Sequence, residues 1–241
     1  MRYVNFIIFV FLCFFLVLFC STAWGMNQKE EIFPGTDKNT LGLKELLTIG
    51  IHEAVKLVGV EDGFYKNEEI KIPLPEKLRK VDSFLRKFGA KEVSETLIKK
   101  MNRAAEQAAP LALDIFIKAI KNITFDDVLA LLSGKENAAT EFLESNTSET
   151  LKSTFYPIVK NTMEEIKALK AYNDYMGKYS SNPLVRSMGL DLDISKYVTD
   201  KAIDGLFIMV AKEEKKIRQD PAARVTDLLK IVFGKTNKSD Q

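Results

Sequence analysis

Residues 202–211 read AIDGLFIMVA, and this stretch decides the fold. Its side chains are apolar on every face of a helix except at Asp204, the pattern of a helix buried at the centre of a helical domain. The helix is predicted to leave the core through the charged run from Lys212 to Arg218. Gly205 in mid-helix costs about 1 kcal/mol relative to alanine, so a close contact with a neighbouring helix is its expected compensation. Ala104, Ala105 and Ala108 offer the best-matched surface for it. If those two helices meet, Arg103 is the natural cation for Asp200 or Asp204.

The helical period extends outward from this segment in both directions. Leu43, Leu46, Leu47, Gly50, Ile51, Ala54, Val55 and Val58 mark one face of a helix that stops at Gly59. Residues 60–73 hold the one plausible extended strip, Ile70-Lys71-Ile72, ahead of Pro73 and Pro75. Leu74, Leu78, Val81, Leu85 and Phe88 follow a 4-3-4-3 spacing that ends at Gly89. Leu97, Met101, Ala104, Ala108, Leu111 and Ile115 continue the pattern, with a kink or break expected at Pro110.

Thr124-Phe-Asp-Asp127 has capping-box form and opens a short helix closed by Gly134. A further short helix is expected near 136–144. Thr147 or Ser148 then caps a long one through Leu151, Phe155, Val159, Met163, Ile166 and Leu169. Residues 180–193 read as a loop. Asp220-Pro221 places an N-cap and a first-turn proline before the last stripe, Val225, Leu228, Leu229 and Val232, which stops at Gly234. The expected fold is all-α, a single domain of about seven to nine helices. It occupies 41–234, after a signal peptide at 1–25 and a flexible lead-in at 26–40, and before a frayed tail at 235–241.

The signal reading rests on residues 1–25. Arg2 precedes a nearly continuous apolar run from Tyr3 to Phe19, followed by Ser21-Thr22-Ala23-Trp24-Gly25. One charge, an apolar run and small residues describe a secretory signal peptide. Ala23-Trp24-Gly25 fits cleavage after Gly25, and a cut after Ala23 is the near alternative. Retention as an inner-membrane anchor is a second, since 17 residues lie at the short edge of a membrane span. Cys20 in a lipoprotein context is a third, although the bulky Phe19 before it suits that processing poorly. The expected location is periplasmic or secreted.

Both cysteines, Cys13 and Cys20, lie in that region, so a cleaved chain has no disulfide, thiolate metal site or catalytic cysteine. Arg2 is the only charge among residues 1–25, which leaves 34 basic against 33 acidic side chains beyond them. Such a balance, without a basic block, argues against a nucleic-acid partner.

Residues for chemistry are few. His52 is the only histidine and falls on the polar side of its helix with Glu45, Thr48 and Lys56. A zinc site would need at least three carboxylates beside it. Asp191-Leu-Asp193-Ile-Ser195 imitates a calcium loop, but Lys196 and Ala202 stand where that loop needs Gly and Glu. Asp193 reads better as a cap for the next helix. Phosphate-binding glycine loops are absent, and no metal or cofactor is expected. One polar set remains: Asn102, Arg103 and Glu106 on an alanine-rich helix, with Asp200 and Asp204 one turn apart on another. Local pairing, Arg103 with Glu106 and Lys196 with Asp200, competes with a shared cluster across two packed helices.

Four phrases occur in order: Ile72-Pro-Leu-Pro-Glu-Lys-Leu78, Met101-Asn-Arg-Ala-Ala-Glu106, Tyr197-Val-Thr-Asp-Lys-Ala-Ile-Asp-Gly-Leu-Phe207 and Pro221-Ala-Ala-Arg224. Together they resemble a family of exported bacterial proteins, mostly Gram-negative, catalogued as a domain of unknown function. The resemblance covers nearly all of 41–234. It implies a periplasmic setting and one helical domain, and it supplies no activity, cofactor or catalytic residue.

The function expected first is non-enzymatic, a periplasmic protein that binds an envelope partner or supports the envelope. A carrier for a lipid or other apolar ligand comes second, and a hydrolase or transferase built on Glu106, Asp200 and Asp204 third. The mature N-terminus should be Met26, Asn27 after trimming, or Trp24 under the alternative cut. N-terminal sequencing of the exported protein checks this, and a start at Met1 or a lipid on Cys20 contradicts it.

Overall fold

In the computed structural model, which describes residues 37–86, 91–179 and 192–234, the Asp37 carboxylate accepts the Asn39 N–H and opens helix α1, Lys38–Val58. The proposed signal segment and the tail lie outside the described residues. Helix α1 starts within the last residues of the segment read as lead-in, because Asp37 supplies the cap. It ends at Gly59, as its stripe predicts. The helices that follow are α2 (Glu76–Leu85), α3 (Lys91–Ala108), α4 (Leu113–Lys121) and α5 (Phe125–Leu132). After them come α6 (Ala138–Glu165), α7 (Ala168–Tyr179), α8 (Ile194–Gln219) and α9 (Asp227–Phe233). Among the described residues there is no strand, and the fold is all-α.

Helix α8 is the hub. It packs chiefly on α6 and α1, while α3 lies against α6 and α7. From Ile194 to Ile217 it buries Val198, Ala202, Ile203, Leu206, Phe207 and Val210. Asp193 caps it by accepting the Lys196 N–H. Two expectations for α8 change. Ile208 is 41% exposed, so the helix has a solvent stripe that includes Asp204. The charged run does not leave the core either, because Glu214 and Ile217 are buried one and two turns beyond Val210.

Pro110 breaks the long alanine-rich stripe as expected. A 3-10 turn over Ala109–Ala112 separates α3 from α4. The Gly89 stop and residues 180–191 of the expected loop fall outside the described residues. The helix expected near 136–144 and the one after it are a single helix, α6. Thr147 and Ser148 do not cap it. Their hydroxyls bond back to the carbonyls of Leu143 and Glu144, one turn earlier, which lets such residues sit inside a helix. Pro157 lies in mid-helix at an exposed position, where its missing N–H leaves one bond of the helix unmade.

Asp220-Pro221 opens only a short 3-10 turn over Pro221–Ala223. The last helix begins later, at Thr226, whose side chain accepts the Leu229 N–H. Val225 is 68% exposed and lies outside the apolar stripe.

The strip around Ile70-Lys71-Ile72 belongs to a non-helical crossing, residues 59–75, that alternates buried side chains with exposed ones such as Val60, Glu61, Lys66, Glu68, Glu69 and Pro73. Phe64, Ile70, Ile72 and Leu74 are all buried. This crossing explains Gly205: a Cβ there would stand 2.7 Å from Phe64 Cε1 and 3.3 Å from Ile70 Cβ. The close approach is thus to the crossing and not to the alanines of α3. Gly205→Ala should destabilise the fold by about 1–2 kcal/mol, the overpacking cost less the gain in helix propensity. Denaturant titration checks this. Adding Phe64→Leu should cost less in the Gly205→Ala background than in the parent, and equal costs in the two backgrounds would mean that no steric contact couples the pair.

Candidate functional site

Asn102, Arg103 and Glu106 lie within two turns on α3, and all three reach the 59–75 crossing. Asn102, fully buried, reads one residue twice: its Oδ1 accepts the Ile72 N–H and its Nδ2 donates to the Ile72 carbonyl, both at 2.8 Å. That is the pairing a neighbouring strand would supply. Glu106 Oε1 accepts the N–H groups of Phe64 and Tyr65, both at 3.0 Å, and Oε2 accepts from Arg103 at 2.5 Å.

Arg103 stands at the rim, with its other nitrogen on Asp62 at 2.5 Å and Glu61 at 2.9 Å. Its guanidinium also lies 5.9 Å from the centre of the Tyr65 ring. Asp62 has φ 70°, a left-handed conformation that aspartate tolerates. A hydrogen bond from Lys66 and another from Arg103 hold its carboxyl below the ordinary value. Burial pulls the Arg103 guanidinium down, but its bonds to Glu106 and Asp62 outweigh this and raise it.

Asp200 and Asp204 are not joined to this set. Lys196 holds Asp200 at 2.8 Å and Lys201 holds Asp204 at 2.7 Å, each along α8 at the surface. Arg103 pairs instead with Glu61, Asp62 and Glu106. The local pairs Arg103–Glu106 and Lys196–Asp200 both form. His52 is exposed on the polar side of α1.

A second buried polar cluster lies at the other end of α8. Glu214, fully buried, accepts the N–H groups of Ala139 and Thr140 at 3.1 and 2.8 Å and the Thr140 hydroxyl at 2.6 Å. Its carboxylate thereby caps α6 from a distant helix. Arg218 bonds Glu214 at 2.8 Å and donates to the carbonyls of Leu131 and Leu132 at the end of α5. Arg224, from the fourth phrase, donates to the carbonyls of Ile217 and Arg218 at the end of α8. The available signal was spacing: Val210, Glu214 and Ile217 continue the buried face at i, i+4 and i+7.

Glu106 and Glu214 are therefore each engaged by backbone N–H groups and an arginine, while the buried Asp82 pairs with Arg86 at 2.5 Å. Among the described residues no group of three or more His, Cys, Asp or Glu side chains could hold a metal ion. None of the described helices is long and apolar enough to cross a membrane. The open space lies elsewhere, in grooves. One of about 590 Å³ runs between α4 and α6 and is lined by Ile115, Lys118, Asn122, Phe142, Thr150 and Thr154 among others. A smaller one of about 380 Å³ lies between α6 and the start of α8, where Tyr156 donates to Asp193 at 2.9 Å.

Glu106→Ala removes one member of a buried ion pair and two backbone acceptors, and should cost about 3–5 kcal/mol. Asn102→Ala orphans two groups of Ile72 at about 1–3 kcal/mol each. Asp204→Ala should cost under about 1 kcal/mol and add to Arg103→Ala without coupling. Urea titration of the four variants and the double mutant tests all of this. A coupling above about 0.5 kcal/mol between Arg103 and Asp204 would contradict the separation of the two sets.

Comparison with curated proteins and with solved structures finds no match. A family model does match, over residues 35–234, which takes in both buried clusters and every described helix. The chain belongs to the family described as protein of unknown function DUF4197.

Proposed function

We propose that this chain is an exported, non-enzymatic protein that binds a partner in the cell envelope. One observation carries the reading. The carboxylates best placed for chemistry by sequence are occupied: Glu106 has both oxygens bonded to backbone N–H groups and Arg103, and its side chain is 3% exposed. A general acid or base needs a free position within hydrogen-bond reach of substrate, and Glu106 offers none. Asp200 and Asp204 carry ordinary surface pairs. What is left for function is the outer surface, with its grooves and exposed apolar side chains such as Leu57, Val60 and Leu111. Export rests on the composition of residues 1–25, and a partner in the periplasm or envelope follows from it.

The carrier reading has less support. Its natural site would be a dry enclosed cavity, whereas the α4–α6 groove is open and carries amide, hydroxyl and ammonium groups. Native mass spectrometry of the protein, recovered from the envelope fraction of its own host, tests the proposal. The expected spectrum contains the cleaved chain with a bound protein or peptide mass. A retained lipid would move the assignment to a carrier, and recovery of uncleaved chain from the cytosol would overturn export.

A further inference from the structure

The α4–α6 groove has a construction that folding does not require. Its floor is apolar, from Ile115, Ala119 and Ile123 on one side and Phe142 and Leu143 on the other. Along α6 its rim is Asn146, Thr150 and Thr154, at steps of four residues, and along α4 it is Lys118 and Asn122. These polar side chains are exposed. Among the described residues, the side chains of Lys118, Asn122, Thr150 and Thr154 have no hydrogen-bond or ionic partner. Asn146 donates to the Phe142 carbonyl at 2.8 Å and keeps its side-chain oxygen free. Asparagine and threonine are weak helix formers, so a helix under selection for stability alone would carry lysine, glutamate or alanine at such exposed positions.

We propose that this groove binds an extended acidic peptide segment of the partner, about four residues long. The proposal rests on the partner-binding reading above and names the site. Three features fix the occupant. A step of four residues along a helix is about 6 Å, close to the two-residue repeat of an extended chain at about 6.6 Å. Asn146, Thr150 and Thr154 therefore face the backbone groups of alternate peptide residues over about 12 Å. Successive side chains of an extended peptide alternate in direction, so every second one meets the apolar floor. Among the described residues Lys118 is the one charged residue lining the groove, and it is without a carboxylate partner there. An acidic side chain on the peptide supplies that partner. A fatty acid would need polar groups gathered at one end, not spread along the whole rim.

The test is selection from a displayed random heptapeptide library on the immobilised protein. Enriched sequences are then made as labelled peptides and titrated by fluorescence polarisation. Sodium oleate serves as a second probe. Enriched peptides should share an acidic residue among apolar ones. Their binding should weaken at least tenfold in Lys118→Glu and in Thr150→Arg, both exposed changes that should leave the circular-dichroism melt in place. Peptides that bind both variants as tightly as the parent would overturn the groove and leave partner binding to another surface. Failure to enrich any sequence would overturn it as well. Oleate binding lost in Lys118→Glu, without peptide binding, would replace the peptide by a lipid.

Discussion

Asn102 and Glu106 supply four backbone groups of a partly buried, irregular segment with the partners that a sheet would otherwise provide. Residues 59–75 cross the domain with neither helix nor strand, yet Phe64, Ile70, Ile72 and Leu74 lie in the core. Burying amide groups without hydrogen bonds costs a few kcal/mol each; turns within the crossing pair some of them, and side chains must meet those that remain buried. Two residues of α3 do so at Ile72 and at Phe64–Tyr65. With Phe64 fixed, the space at Gly205 is set, and with it the distance at which α8 lies over the crossing.

The opposite end of α8 obeys the same constraint. Helix ends leave N–H and carbonyl groups without internal partners, and here they are buried against one another. Glu214 serves the start of α6, Arg218 the end of α5 and Arg224 the end of α8. Three ionic side chains thus terminate three helices, and Glu214 and Arg218 neutralise each other in doing so. Removing one would leave both a charge and a helix end unmet, the situation in which buried ions cost most.

Helix faces were legible in the sequence because a 3.6-residue period is a local property. The stripes of α1 and α8, the stop at Gly59 and the break at Pro110 all follow from residues within a few turns. The crossing was visible only as a gap in the period with a possible strip at Ile70–Ile72. Its anchoring needed Asn102, thirty positions away, in contact with Ile72. The polar set on α3 and the local pair Arg103–Glu106 were recognisable, but Glu61, Asp62 and the backbone of the crossing as partners were not, since nothing in the spacing along α3 points to them. Thr147 and Ser148 misled for a physical reason: the hydroxyl that caps a helix start bonds equally well one turn back inside it. Glu214 looked like part of a solvated run because charge hid a position on the apolar face.

Fixed ends give the α4–α6 groove its shape before anything binds. The faces of α4 and α6 that look away from the groove are held in the core: Phe116 meets Phe207 edge-on at 5.4 Å, and Leu151 and Phe155 are fully buried. Lys44 of α1 donates to the Lys121 carbonyl at the end of α4, and Glu214 holds the start of α6. Neither wall can approach the other without breaking a buried contact. A groove that cannot collapse keeps its hydrogen-bonding groups hydrated and aligned, so a ligand need not order them on arrival. The core contacts of Phe116, Leu151 and Phe155, with Glu214 at the start of α6, therefore bear on the proposed binding indirectly, by fixing the two helices that form the groove.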